Sequence, residues 1–159
     1  MTNQSDCPET TAPIKKVDYF YPNVTLSEHF FEKFQSKIKK KECYDNIFHI
    51  YDAYPTLFLD YPGIEIIYGG VQVMSDENAE SNLYARHCFF LFDGKVIDPT
   101  LYANGRLVAH KRYIHIHSFT KESYLAMLLE HKNTLPSTLM RSLNQAGRVL
   151  QKQDILLIG

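Results

Sequence analysis

The 159-residue chain has no tryptophan, only three cysteines and no apolar run that approaches the length of a membrane span. Crossing a bilayer as a helix takes about 20 consecutive apolar residues, so no membrane partner of that kind is expected. The cysteines, Cys7, Cys43 and Cys88, are odd in number and lack disulfide spacing. A disulfide-stapled scaffold is thereby excluded, and free thiols in a reducing, cytoplasmic setting are expected. Residues Met1 to Pro13 carry neither the basic start nor the apolar stretch of a secretory leader. Charge of one sign is missing too: 17 Lys and Arg stand against 18 Asp and Glu, a formal net charge of −1. That leaves no global field for nucleic acid or for a membrane surface.

What is present is apolar and aromatic, with 45% hydrophobic residues and 11 Tyr and 10 Phe. At this length that is enough for one domain with a real core. Residues 1–14 are polar, contain two prolines and read as a disordered arm; residues 15–159 read as a single domain. Thr25-Leu-Ser-Glu28 has the form of a capping box, and Leu26, Phe30, Phe31, Phe34 and Ile38 follow at helical spacing. A first helix is predicted there, running into Lys39-Lys40-Lys41, where cations suit a C-terminus. A second helix is predicted from about Cys43 to just before Pro55, with Ile47, Phe48, Ile50, Tyr51 and Tyr54 on its apolar face. A strand over 64–74 follows, and Gly69-Gly70 inside it predicts a bulge or a close backbone approach. Ser75 to Asn82 reads as an acidic loop.

The clearest local signal is Tyr84 to Phe92, then Asp93-Gly94, then Lys95 to Asp98: a hairpin with a type I′ turn. Its first strand is apolar on both faces, as in a central strand covered from both sides. Asn104-Gly105 marks a turn, Arg106 to Phe119 is predicted as strand, and Thr120 caps a helix to about Lys132. Leu139, Leu143, Ala146 and Leu150 predict a last helix after Pro136, and Ile155 to Ile158 a short strand or packed tail. The fold class is α+β.

The hairpin register carries chemistry. With Asp93-Gly94 as the turn, Phe92 pairs with Lys95, so Phe89 faces Asp98 and His87 faces Thr100. Side chains alternate along a strand, which puts His87 and Asp98 on one face as diagonal neighbours within side-chain reach. Pro99 ends regular pairing. A carboxylate so placed fixes an imidazole's tautomer and stabilises the imidazolium. The matching nucleophile is Cys43, at a predicted helix start directly after a lysine run, where N–H groups and cations favour thiolate. Cys7 lies in the arm, and Cys88 points off the His87 face.

Cys-Tyr-Asp-Asn (43–46) at a helix start, Gly69-Gly70 in a strand, and Arg-His-Cys-Phe-Phe-Leu-Phe-Asp-Gly-Lys-Val-Ile-Asp-Pro-Thr (86–100) resemble the cysteine, histidine and aspartate boxes of the transglutaminase-like superfamily, related to papain-like enzymes. The resemblance is to small microbial and phage-type members and spans about residues 40–125. It implies an antiparallel sheet packed against an N-terminal nucleophile helix and further helices, with a Cys43–His87–Asp98 triad. One departure is Cys88-Phe89, where such members often carry Ala and Trp after the histidine. For the oxyanion, the Cys43 N–H is the first expected donor. Gln35, eight residues upstream, is a weak match to the papain glutamine, and Asn46 suits a supporting hydrogen bond. Tyr44 and Phe89 are candidates to line the cleft.

The expected activity is cysteine-dependent acyl transfer through an acyl-enzyme, on a protein, peptide or small amide or thioester substrate. Hydrolysis is the default, because no feature selects an amine acceptor. The rival expectation is a non-enzymatic binding module that keeps the fold. His115 and His117 share a His-x-His spacing, but no Cys or carboxylate completes a site locally; no metal and no cofactor is expected.

Overall fold

The computed structural model describes residues 17–73 and 82–131, together with 145, 148, 150–151 and 155–158. The expected N-terminal arm, the acidic loop up to residue 81 and most of the last helix lie outside the described residues. Eleven elements occur among those described: β1 (Tyr19–Phe20), α1 (Val24–Phe34), α2 (Cys43–Ala53), α3 (Leu57–Asp60), β2 (Glu65–Gln72), β3 (Leu83–Phe92), β4 (Lys95–Ile97), α4 (Pro99–Ala103), β5 (Tyr113–Phe119), α5 (Lys121–His131) and β6 (Leu156–Ile158). None of their helices is long and apolar enough to cross a membrane.

The strands form one six-stranded sheet in the order β1-β5-β2-β3-β4, with β6 also on β3. All pairs are antiparallel except β3 with β6, so the sheet is mixed, not antiparallel throughout as expected. The parallel partner was missed because a three-residue strand at the chain's end carries no register signal of its own. β4 pairs with β3 only at Phe90 to Phe92, and β6 only at Leu83 to Ala85. Between them, residues 86–89 of β3 have a strand neighbour on the β2 side alone among the described residues. His87 sits at this gap.

The hairpin forms in the predicted register, Phe92 with Lys95 and Phe90 with Ile97. Asp93 (φ 53°) and Gly94 (φ 75°) both lie in the left-handed region that a type I′ turn demands. The pairing stops at Ile97, however, so His87 does not face Thr100. Pro99 has no N–H to give a ladder and a φ suited to the first helical turn, and Asp98 caps α4 by accepting from the Leu101 N–H at 3.1 Å.

Three further boundaries differ from expectation. α1 is capped by Asn23, whose side chain accepts from the Leu26 N–H at 3.0 Å, not by Thr25. Asn23 is itself anchored to β4 through its N–H on the Val96 carbonyl at 2.7 Å, which ties the helix start to the sheet. α1 also ends at Phe34, before the lysine run. Asn46 binds both the N–H and the carbonyl of Lys39, drawing that residue out of any helical ladder. Finally, the strand expected from Arg106 begins only at Tyr113; the residues before it fold against the end of β2, with the Gln72 N–H on the Arg112 carbonyl at 2.8 Å.

One face of the sheet meets α1, α2 and α5 in the main core, with Phe30, Ile47, Ile50, Ile66, Cys88, Phe90 and Tyr124 buried together. Burying one such side chain contributes about 1.5–3 kcal/mol. A second cluster, Ile67, Val71, Phe89, Val96, Leu101 and Tyr113, gathers the other face of β2 and β3 with α4. The expected bulge occurs where the β2–β5 register shifts between Tyr68 and Gly69. A Cβ on Gly69 would meet the Ile114 carbonyl oxygen, so only glycine allows the strands this approach.

Candidate active site

Cys43, His87 and Asp98 come together from three different elements. Cys43 opens α2, His87 projects from the gap in β3, and Asp98 precedes α4. His87 Nε2 and Asp98 Oδ2 lie 2.8 Å apart, and the Cys43 thiol lies close enough to the same imidazole to help raise its pKa. With Nε2 engaged by Asp98, Nδ1 is the nitrogen left for the sulfur. Cys43 is 9% exposed, His87 6% and Asp98 fully buried.

Burial works against a charged imidazole, but the Asp98 carboxylate beside it and the Cys43 sulfur outweigh that, and the His87 pKa is raised. Burial likewise pushes the Asp98 carboxyl up; His87, the Tyr113 hydroxyl and the Leu101 N–H together pull it below the usual carboxylate range. Tyr113 donates to Asp98 Oδ2 at 2.5 Å, and the Asp98 N–H donates to Ser27 Oγ at 2.9 Å. The acid of the pair is thus held by α1, α4 and β5 at once. Sequence reasoning missed Ser27 and Tyr113. Their contacts span 71 and 15 residues, and nothing local to either residue announces them.

Asn46, one turn into α2, is buried and donates from Nδ2 to Thr100 Oγ1 at 2.9 Å and to the Lys39 carbonyl at 2.7 Å. It ties the approach to Cys43 onto α4, next to Asp98, so its role is to position the nucleophile's loop. Within that loop Lys41 has φ 66°, a left-handed conformation uncommon for a non-glycine residue and often found where function constrains the backbone.

A cavity of about 730 Å³ opens on Cys43 and His87, with Thr100 and Leu101 in its wall. Gln35 is exposed at the C-cap of α1 and does not line it, so it is in no position to meet an oxyanion there. Tyr44 is half-buried with its ring edge-on to Tyr68 at 4.8 Å, turned to the main core. Phe89 is fully buried, stacked on His87 at 6.1 Å and edge-on to Tyr113 at 5.0 Å. Neither forms the cleft wall; Phe89 instead backs the imidazole. Both were expected in the cleft because aromatic side chains serve packing and binding alike, and hydrophobic pattern does not tell the two apart.

Cys88 lies beside His87 in sequence yet faces the main core, 1% exposed. Burial pushes its thiol pKa well up, with the Cys43 and Asp98 charges adding to the effect. Among the described residues no group of three His, Cys, Asp or Glu side chains is placed to hold a metal ion. No family model, curated protein or solved structure matches the chain.

Proposed function

We propose that the chain is a cysteine-dependent acyl-transfer enzyme, by default a hydrolase of amides or thioesters, whose fold and triad resemble the transglutaminase-like and papain-like enzymes. The observation that carries the reading is one imidazole holding a buried carboxylate at 2.8 Å on one nitrogen and meeting a helix-start thiol at the mouth of a cavity. A buried structural cysteine needs neither partner, and a buried structural histidine needs no cavity.

In this mechanism the Cys43 thiol gives its proton to His87 Nδ1, and Asp98 stabilises the resulting imidazolium. The thiolate adds to the acyl carbon, and the carbonyl π electrons move to the oxygen, with the Cys43 backbone N–H as first donor to the oxyanion. Collapse of that intermediate breaks the bond to the amine or thiol leaving group, which takes the proton from His87. Water, deprotonated by His87, then adds to the acyl-enzyme and releases the acid and the Cys43 sulfur. A mechanism-based thiol probe tests the reading: it labels Cys43 and spares Cys7 and Cys88 in the native protein. Equal, slow labelling of all three thiols favours the rival binding module.

A further inference from the structure

We propose that the acyl substrate of Cys43 is anionic, carrying a carboxylate or phosphate that seats against Lys111 and Arg106 in the wall of the cavity. The inference rests on Cys43 being the nucleophile and adds the substrate's charge. Apart from Cys43 and His87, the titratable side chains lining the cavity are Lys41, Arg86, Arg106, His110 and Lys111, and no Asp or Glu lines it among the described residues. The chain as a whole carries a formal charge of −1, so this basic wall is a local concentration.

Lys111 is the informative member. It is only 8% exposed, yet among the described residues its side chain has no hydrogen-bond or ion-pair partner. Leaving a buried ammonium unpaired is costly. Burial lowers its pKa, and the Arg106 guanidinium lowers it further, against the opposing pull of Asp98; Asp98 itself is already engaged by His87, Tyr113 and Leu101. Lys111 and Arg106 both line the space that also holds the Cys43 thiol. The buried Asn104 Oδ1 in the same wall has no partner among the described residues either, an acceptor suited to an N–H beside the anion.

Two alkylating reagents of nearly equal shape, iodoacetate and iodoacetamide, differ in charge and test the seat directly. Second-order rates are measured on Cys43 by peptide mass spectrometry, with 2-mercaptoethanol as the neutral reference thiol. The iodoacetate-to-iodoacetamide rate ratio on Cys43 is expected to exceed that of the reference by about tenfold, through the cations around the thiol. It falls about threefold or more in Lys111→Gln and in Arg106→Gln, and is kept in Lys111→Arg. Because both reagents draw on the same thiolate, the ratio cancels any change in thiol ionisation. Should Lys111→Gln fail to fold, the exposed Arg106→Gln carries the test alone. Slowing of iodoacetamide by glutarate, not by inorganic phosphate, makes the anion a carboxylate, and the reverse makes it a phosphate. Fast alkylation with a ratio indifferent to the folded substitutions overturns the anion seat alone. A Cys43 no more reactive toward iodoacetamide than Cys88 overturns the nucleophile and the seat together.

Discussion

Two thiols lie within the same main core cluster, both nine-tenths or more buried, and their surroundings differ in kind. Cys88 sits mid-strand with Phe90 and Tyr68 in its cluster, outside the lining of the cavity that Cys43 opens on, and with a pKa pushed up by burial. Cys43 sits at the first residue of α2, opens on a cavity and meets an imidazole that a carboxylate orients. On the proposed reading, burial alone does not sort a structural cysteine from a reactive one. Partners do, because the thiolate is the nucleophile and only a neighbouring cation or N–H array makes it accessible near neutral pH.

The sharpest way to break the contrast is to remove the sulfur that carries it. Cys43→Ala should reduce turnover to background while costing only about 1 kcal/mol in stability, read by activity assay and thermal unfolding. Loss of cooperative unfolding would place Cys43 on the same structural side as Cys88.

Asp98→Asn should come next. Turnover is expected to fall roughly ten- to thousand-fold, less than in serine enzymes because a thiolate–imidazolium pair can pre-exist. Stability should fall by about 2–4 kcal/mol, since the change removes one charge of a buried pair. The pH dependence has a definite sign. His87, with its pKa raised above 6.5, contributes fully below that value, and its contribution fades as pH climbs through the raised pKa. Asp98, lowered below 3.8, contributes above that value and loses its contribution as pH falls through the lowered pKa. The pair thus stabilises the wild type across the range between the two, and Asp98→Asn should flatten both limbs. An NMR titration of His87 should show its pKa drop in the variant; an unchanged His87 would remove Asp98 from the triad.

Tyr113→Phe deletes the hydroxyl that donates to Asp98 at 2.5 Å and leaves the ring. Losing one hydrogen bond to a charged group corresponds to about 1.5–3 kcal/mol of stability. Turnover should fall about three- to tenfold, with the upper pH limb of thiol reactivity moved, because Tyr113 acts through Asp98. An unmoved pH profile would make it a packing residue only. The smallest effect belongs to the other thiol: Cys88→Ala should leave Cys43 reactivity within about twofold and cost about 1–2 kcal/mol, the scale of a small core truncation.

Much of this geometry was legible in the sequence where short-range chemistry dictates it. Asp93-Gly94 imposes a turn that few other dipeptides make, so the hairpin register followed and with it the closeness of His87 and Asp98. The start of α2 at Cys43 and the bulge at Gly69 were legible for the same reason. What stayed hidden depends on partners far along the chain. That Pro99 ends the pairing was legible locally, but the anchoring of Asp98 by Ser27 on α1 was not, nor was the basic wall formed by Arg106 and Lys111 in a stretch that read as strand. The inward turn of Phe89 and Tyr44, and the outward one of Gln35, were settled by packing, which hydrophobic pattern does not resolve at single residues.

Competitive alkylation of the native protein with limiting iodoacetamide, quantified separately at Cys43 and Cys88, measures the difference between the two thiols in one experiment. Cys43 should react at least about a hundred times faster than Cys88, the least expected from its access and ionisation partners, and His87→Ala should erase most of that advantage. Comparable slow rates at both sites, or a Cys43 rate untouched by His87→Ala, would contradict the reading of Cys43, His87 and Asp98 as a working triad.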